Sequence, residues 1–269
     1  MVRFMSLGSG SSGNCYYLGH ETAGILLDAG LAPRVIAQSL KSVGIDLKSG
    51  HIQGVVITHD HADHTRAVGS LGADYHIPIY ASDAVHNKIM QCRYVYQDIG
   101  ASRRTISLGK VFQVAGFEIT PFFVPHDSVE NFGYYICRGD FSFALITDVG
   151  HVTDEIRRYA GMVRHLVIEA NYDSEMLHTG SYPDFLKERV ASPLGHLSNA
   201  ETAELLSQVY HPEMENIWLC HLSKDNNHPD LCWKTVEHRL FSEGIRVGKD
   251  VTLTALRRIS PSPMYLLEP

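Results

Sequence analysis

Between residues 55 and 65 the chain reads VVITHDHADHT. Three imidazoles (His59, His61 and His64) and two carboxylates (Asp60 and Asp63) follow directly on a dry, β-branched run. A hydrophobic core cannot absorb so many polar side chains unless each finds a partner. Imidazole and carboxylate together are the ligand set of borderline divalent metals such as zinc or manganese. His59 and His61 stand two apart in an extended or turning segment, so both can reach one ion. Asp63 and His64 come one step later and can reach a second. Sixteen histidines in 269 residues point the same way.

Ligands need rigid elements to hold them. The sequence supplies a series of short apolar strands, each delivering a metal-competent side chain at its C-terminal end. Asp28 ends GILLD, His59 ends GVVITH, His126 ends PFFVPH, Asp148 ends FALITD and His221 ends WLCH. Glu169 nearly ends HLVIEA. Each residue alone has an ordinary alternative: a turn histidine at 126, a helix N-cap at 148, a satisfied core histidine at 221. The cluster at 59–64 has no such alternative of comparable weight.

The pattern predicts strands at 2–7, 15–19, 24–30, 54–59 and 77–82, then at 117–126, 132–139, 141–148, 165–170 and 215–223. Helices are predicted from Pro33 to a stop at Gly44, and near 82–92, 152–160, 182–190, 199–209 and 229–242. Ser198 followed by Glu201 is a capping box for the helix at 199. The expected class is α/β, with two sheets face to face and helices over both outer faces.

With 44% hydrophobic and 20% charged residues, the composition is that of a soluble globular protein. A single domain over 1–269 is expected from the length. There is no apolar run of membrane-spanning length, and the N-terminus lacks a signal-peptide stretch. The five cysteines have neither zinc-ribbon nor thioredoxin spacing, which predicts a reducing, cytoplasmic setting. A net charge of −7 argues against a broad electropositive surface. It leaves room for a local basic groove, although Arg103–Arg104, Arg157–Arg158 and Arg257–Arg258 read first as solvated faces.

THDHADH resembles the H-x-H-x-D-H signature of the metallo-β-lactamase fold superfamily, and the later strand-end residues follow that superfamily's order over nearly the whole chain. The resemblance implies a four-layer αββα sandwich of two mixed sheets and a site for two divalent transition metals, zinc or manganese, with iron also open. It implies His59, His61 and His126 for the first metal, Asp63, His64 and His221 for the second, and Asp148 as the bridge. Asp28 becomes the carboxylate that orients the histidine loop. True β-lactamases carry Cys where Asp148 stands. Flavodiiron proteins carry Glu at the second motif histidine, here His61. The extra C-terminal helical domain of glyoxalase-type hydrolases is not evident. An Asp bridge with histidine-rich sites suits phosphoester hydrolysis.

LGHLSNAETAELL (194–206) and CHLSKDNN (220–227) resemble motifs of ribonuclease Z and its phosphodiesterase relatives. With SLGSGSSGNC at the N-terminus, the chain looks most like the YycJ-type branch, metallo-hydrolases described as 5′-to-3′ exonucleases on DNA. The long insert of β-CASP nucleases and the projecting arm of ribonuclease Z are not evident. This resemblance implies a metal-dependent phosphodiesterase acting on DNA from a 5′ end. Its catalytic residues would be His196 as general acid and Asp63 beside the attacking water. Ser11, Ser12 and Asn14 in the glycine-rich turn could form an anion-binding nest, and Lys224, Asn226 and Asn227 could contact the substrate backbone. Two alternatives stay open: a phosphodiesterase for small cyclic or nucleotide substrates, which the acidic charge favours, and a metal-binding protein without catalysis.

Overall fold

The computed structural model describes residues 1–268. Strands β1 (Val2–Gly8), β2 (Cys15–Gly19), β3 (Gly24–Leu27), β4 (Ile52–Val56), β5 (Ile79–Ala81) and β6 (Arg103–Thr105) form the first sheet. The second is built from β7 (Phe112–Val114), β8 (Phe117–Phe123), β9 (Phe132–Arg138), β10 (Phe141–Ile146), β11 (His165–Glu169), β12 (Asn216–Cys220) and β13 (Thr252–Ala255). The last strand, β14 (Tyr265–Leu267), returns to the first sheet beside β1. Each seven-stranded sheet is mixed in the same way. Three antiparallel pairs (β14 to β3, and β7 to β10) are followed by three parallel pairs (β3 to β6, and β10 to β13).

The sheets pack face to face. Phe4 and Tyr16 of the first meet Phe143 and Trp218 of the second, with the Phe4 and Trp218 rings 4.5 Å apart. Because both faces of each sheet are covered, strands such as β2 and β3 are buried throughout and read as continuous apolar runs. Helices α1 (Pro33–Ser42), α2 (Ala62–Thr65), α3 (Val68–Ala73) and α4 (Asp83–Ile89) belong to the first half. Apolar residues of α1, α3 and α4 close the outer face of the first sheet. Then come α5 (Asp154–Ala160), α6 (Ser174–Thr179), α7 (Asp184–Val190), α8 (Asn199–Val209) and α9 (Pro229–Ser242). Of these, α5, α8 and α9 cover the outer face of the second sheet. The result is the αββα sandwich.

Several strands stop earlier than their apolar runs. β4 ends at Val56, β8 at Phe123 and β10 at Ile146, so His59, His126 and Asp148 lie in the loops beyond. Asp28 and His221 come directly after β3 and β12, and only Glu169 closes its strand. No helix among the described residues is long and apolar enough to cross a membrane.

Candidate metal centre

The histidine loop leaves β4 and is stitched to its neighbours by backbone hydrogen bonds. Ala29 N–H donates to the His64 carbonyl at 2.7 Å, and Asn14 N–H donates to that of Asp63 at 2.7 Å. The approach is so close that a Cβ on Gly30 would sit 1.6 Å from the Asp63 carbonyl oxygen. Only glycine fits there. Asp60 turns away from the centre and accepts from Val129 N–H at 3.0 Å, tying this loop to the one after β8. Asp28, Asp148 and His221 adopt left-handed backbone, with φ of 59°, 56° and 53°. Such conformations cost non-glycine residues about 1–3 kcal/mol each and persist where the surroundings over-determine them.

These loops bring two groups of side chains together. His59, His61 and His126 form one, with ring centroids 4.6–5.2 Å apart. Asp63, His64 and His221 form the other. Asp148 lies between them: its Oδ2 is 3.2 Å from His64 Nε2, and its Oδ1 is 3.6 Å from His126 Nε2 and 3.4 Å from His221 Nδ1. His59, His64, Asp148 and His221 are buried, while His61, Asp63 and His196 keep partial exposure and form the open side.

Whether these residues suit metal ions is tested by their free atoms. The Nδ1 of His59 pairs with Thr58 Oγ1 at 3.0 Å, and that of His126 donates to the Gly195 carbonyl at 3.0 Å. Both Nε2 atoms are buried without a hydrogen-bond partner among the described residues. A buried imidazole nitrogen with no partner is expensive unless a cation takes its lone pair. His64 Nδ1 donates to Asp28 Oδ2 at 2.7 Å, which turns Nε2 toward Asp148. Asp28 also accepts from Thr58 N–H and Oγ1–H. The donor set therefore fits.

Glu169 is the corresponding hub in the second sheet. Its Oε1 accepts from Nδ1 of both His196 and His221 at 2.8 Å, and its Oε2 accepts from Val149 N–H and Leu197 N–H. Burial would raise its pKa, but His196 and His221 bring it down to about 2. Burial likewise opposes charge on His64, yet Asp148, Asp28 and Asp63 lift that imidazole well above its usual range. His221 is raised to about 10, with Asp148, Asp63 and Glu169 overcoming burial. His59 is pushed well down by burial and by His64. His59 thus offers a neutral lone pair while carboxylates crowd the second group, a field that attracts cations.

The seven residues expected as ligands and Asp28 converge; the expected substrate contacts do not behave as a set. Ser11, Ser12 and Lys224 are exposed. Asn14 is fully buried and turned inward: its Oδ1 accepts from Gly10 N–H and its Nδ2 lies 3.0 Å from His64 Nε2. Asn227 is buried too, donating to the Ala170 and Asn171 carbonyls, and Asn226 is 1% exposed. Asn14 and Asn227 thus spend their side chains inside the protein, while the buried Asn226 side chain has no hydrogen-bond partner among the described residues. In the glycine-rich turn Ser11 and Ser12 stay exposed, with no partner for their backbone N–H groups among the described residues. The N–H groups of Ser9, Gly10, Gly13 and Asn14 are already donated within the protein.

Sequence reasoning gave Glu169 no role as a hub and passed over Asp127, whose Oδ1 lies 3.3 Å from His126 Nε2. Both are acidic residues beside a candidate ligand in space, and for Asp127 adjacency in sequence was a signal.

Residues 24–221 match the β-lactamase superfamily domain family. The chain is 36% identical over 251 residues to exodeoxyribonuclease WalJ of Streptococcus pneumoniae serotype 2, covering 92% of this chain and 91% of that protein. It is 32% identical over 249 residues to exodeoxyribonuclease YycJ of Bacillus anthracis, covering 92% of each. Among solved structures, zinc-bound PqqB from Methylobacterium extorquens shares the fold, with a TM-score of 0.72 at 16% identity over 97% of this chain and 99% of that one. The chain belongs to the metallo-β-lactamase fold superfamily, in the YycJ-like branch of its metal-dependent hydrolases.

Proposed function

We propose that this chain is a dinuclear metal-dependent phosphodiesterase that degrades DNA from a 5′ end. The observation that carries this is the convergence of two ligand groups on Asp148, with His196 at their open edge. Relatives at 32–36% identity named as exodeoxyribonucleases support DNA as the substrate. In this reading His59, His61 and His126 would hold one divalent transition metal and Asp63, His64 and His221 the other, with Asp148 available to both. Zinc, manganese and iron are all compatible with imidazole and carboxylate ligands. When bound, such ions activate water at neutral pH and neutralise charge growing on the phosphoryl oxygens.

The chain's own residues do the rest. Asp63, partly exposed, accepts a hydrogen bond from the attacking water and so orients it. His196 directs Nδ1–H into Glu169, which leaves Nε2 to protonate the departing sugar oxygen. The Glu169 carboxylate steadies the imidazolium that this role requires. All five cysteines are free, in keeping with a cytoplasmic setting.

The test combines metal content with substrate choice. Elemental analysis should find two transition-metal ions per chain at saturation; a plateau at one ends the dinuclear reading. Asp148→Ala should weaken both sites, and His221→Ala mainly one. A 5′-phosphorylated DNA strand should be shortened progressively from that end, and more slowly as salt rises. The net charge of −7 favours a second reading, a phosphodiesterase for small cyclic or nucleotide substrates. Turnover of cyclic nucleotides with none of DNA would establish it instead.

A further inference from the structure

Helix α7 is the one the core leaves outside: none of its seven residues is buried. The loop that follows it is nevertheless fastened to the metal centre. Asp127 N–H donates to the Leu194 carbonyl at 3.0 Å, His126 Nδ1 to that of Gly195, and His151 Nδ1 to that of Pro193 at 2.8 Å. A Cβ on Gly195 would fall 2.2 Å from the Val190 carbonyl oxygen, so the end of α7 lies tight against this loop.

One side chain of α7 reaches the centre itself. Arg189 Nε donates to Asp127 Oδ2 at 2.6 Å, while Asp127 Oδ1 stands 3.3 Å from His126 Nε2 and 3.9 Å from His61 Nε2. The guanidinium is thus held one carboxylate away from the first ligand group. Its two Nη groups have no hydrogen-bond partner among the described residues, and the side chain is 55% exposed. An arginine pinned through Nε presents an ordered, fully charged fork to solvent. One helical turn earlier stands Phe185, 72% exposed, on the same face and about 6 Å away along the axis. A lone exposed Phe needs no explanation. Beside a pinned arginine at the edge of a metal centre, it completes the pairing of cation and aromatic platform by which proteins hold single-stranded nucleic acid.

The geometry points to α7 as the strand-binding edge of the active site. Arg189 grips a backbone phosphate next to the scissile one, and Phe185 stacks on an unpaired base. This rests on the nuclease reading above. It accounts for local recognition of a polyanion on a chain that is acidic overall. It also selects a frayed or single-stranded end, because a paired base offers no free face.

The test is binding, measured on the protein as purified by fluorescence anisotropy. The probe is a short 5′-phosphorylated single strand with phosphorothioate linkages, which resist cleavage. Arg189→Ala should raise Kd about tenfold and reduce the salt slope by about one. Phe185→Ala should raise Kd about tenfold for the single strand and hardly at all for a blunt duplex, with Phe185→Trp restoring affinity. Arg246→Ala, which removes an equal charge paired instead with Asp250, should leave both quantities unchanged. Metal content should be the same in all variants. If Arg189→Ala and Phe185→Ala bind like Arg246→Ala, the inference is overturned and the nuclease reading stands. Loss of metal from Arg189→Ala also overturns it, since the effect would then pass through Asp127. If the unmodified protein binds no strand at all, both fall together.

Discussion

Asp28 follows β3 in the first sheet and Glu169 closes β11 in the second, and both carboxylates are fully buried. Asp28 draws its partners from one short segment: Thr58 N–H and Oγ1–H and, at 2.7 Å, His64 Nδ1. Through Thr58 it also reaches His59. Glu169 draws its partners from three separate loops, accepting from Val149, from His196 and Leu197, and from His221. The first carboxylate organises a motif already contiguous in the chain. The second gathers residues that only the fold brings together. A local loop retains some order when its anchor is lost, because its backbone remains stitched to Ala29 and Asn14. A non-local assembly has no such reserve.

The sharpest break in that comparison is Glu169→Ala. It leaves His196 and His221 without their acceptor and two buried N–H groups unpaired. Removing one partner from a buried charged network destabilises by about 3–5 kcal/mol. Urea unfolding should show this as a lower midpoint at unchanged slope. The acid limb carries a second signature. Glu169 titrates near 2 in the folded protein against an ordinary 4.5, so its contribution is complete above the ordinary value and is lost as pH falls toward 2. In Glu169→Gln the decline in stability over that window should flatten. An unchanged decline would assign the acid sensitivity to other carboxylates.

Next in size is His196→Ala. If His196 is the general acid proposed above, its loss should lower kcat by about 10²–10⁴-fold on DNA, with metal content retained. The deficit should shrink on bis-p-nitrophenyl phosphate, whose leaving group needs little protonation. Equal deficits on both substrates, together with lost metal, would make His196 a ligand or a structural residue.

Asp28→Ala should act more mildly, because the loop it serves is local. Removing the partner that orients a histidine ligand lowers metal affinity by about 10–100-fold. Isothermal titration with Zn²⁺ should place that loss mainly in the ion that His64 would hold under the proposed assignment. If Asp28→Ala unfolds the protein as Glu169→Ala does, the contrast between local and non-local anchoring fails.

The same contrast explains what could be read from the chain. THDHADH is contiguous, so its chemistry was legible at once, and the apolar runs around it set the strands and the two-sheet packing. Four strands were passed over: β6, β7, β13 and β14, the outermost strands of the two sheets. They are three or four residues long and paired on one side, too short for a clear alternation. α3, which contains Gly69 and Gly72, was missed because its propensity is poor and packing makes it helical. The left-handed backbone at Asp28, Asp148 and His221 left no trace, since none of the three is glycine. Placing ligands at strand ends was close in position, but their side chains are aimed by turns that begin where the strands stop.

The smallest expected effect concerns the helix cap that follows His196. Ser198 Oγ accepts from Glu201 N–H at 3.2 Å, and the Glu201 carboxylate accepts from Ser198 N–H at 2.8 Å, closing the capping box of α8. The cap fixes the backbone two residues beyond His196. The imidazole itself is held by Glu169, and the backbone N–H of His196 donates to the Val190 carbonyl at 2.9 Å. If the buried carboxylate does the aiming, losing the cap should cost fold stability and little chemistry. Ser198→Ala should lower stability by about 1 kcal/mol. Its kcat on DNA should stay far above that of His196→Ala, with metal content unchanged. Should Ser198→Ala instead lose as much kcat as His196→Ala while remaining folded, the helix cap positions the general acid, and Glu169 serves the fold and His221 alone.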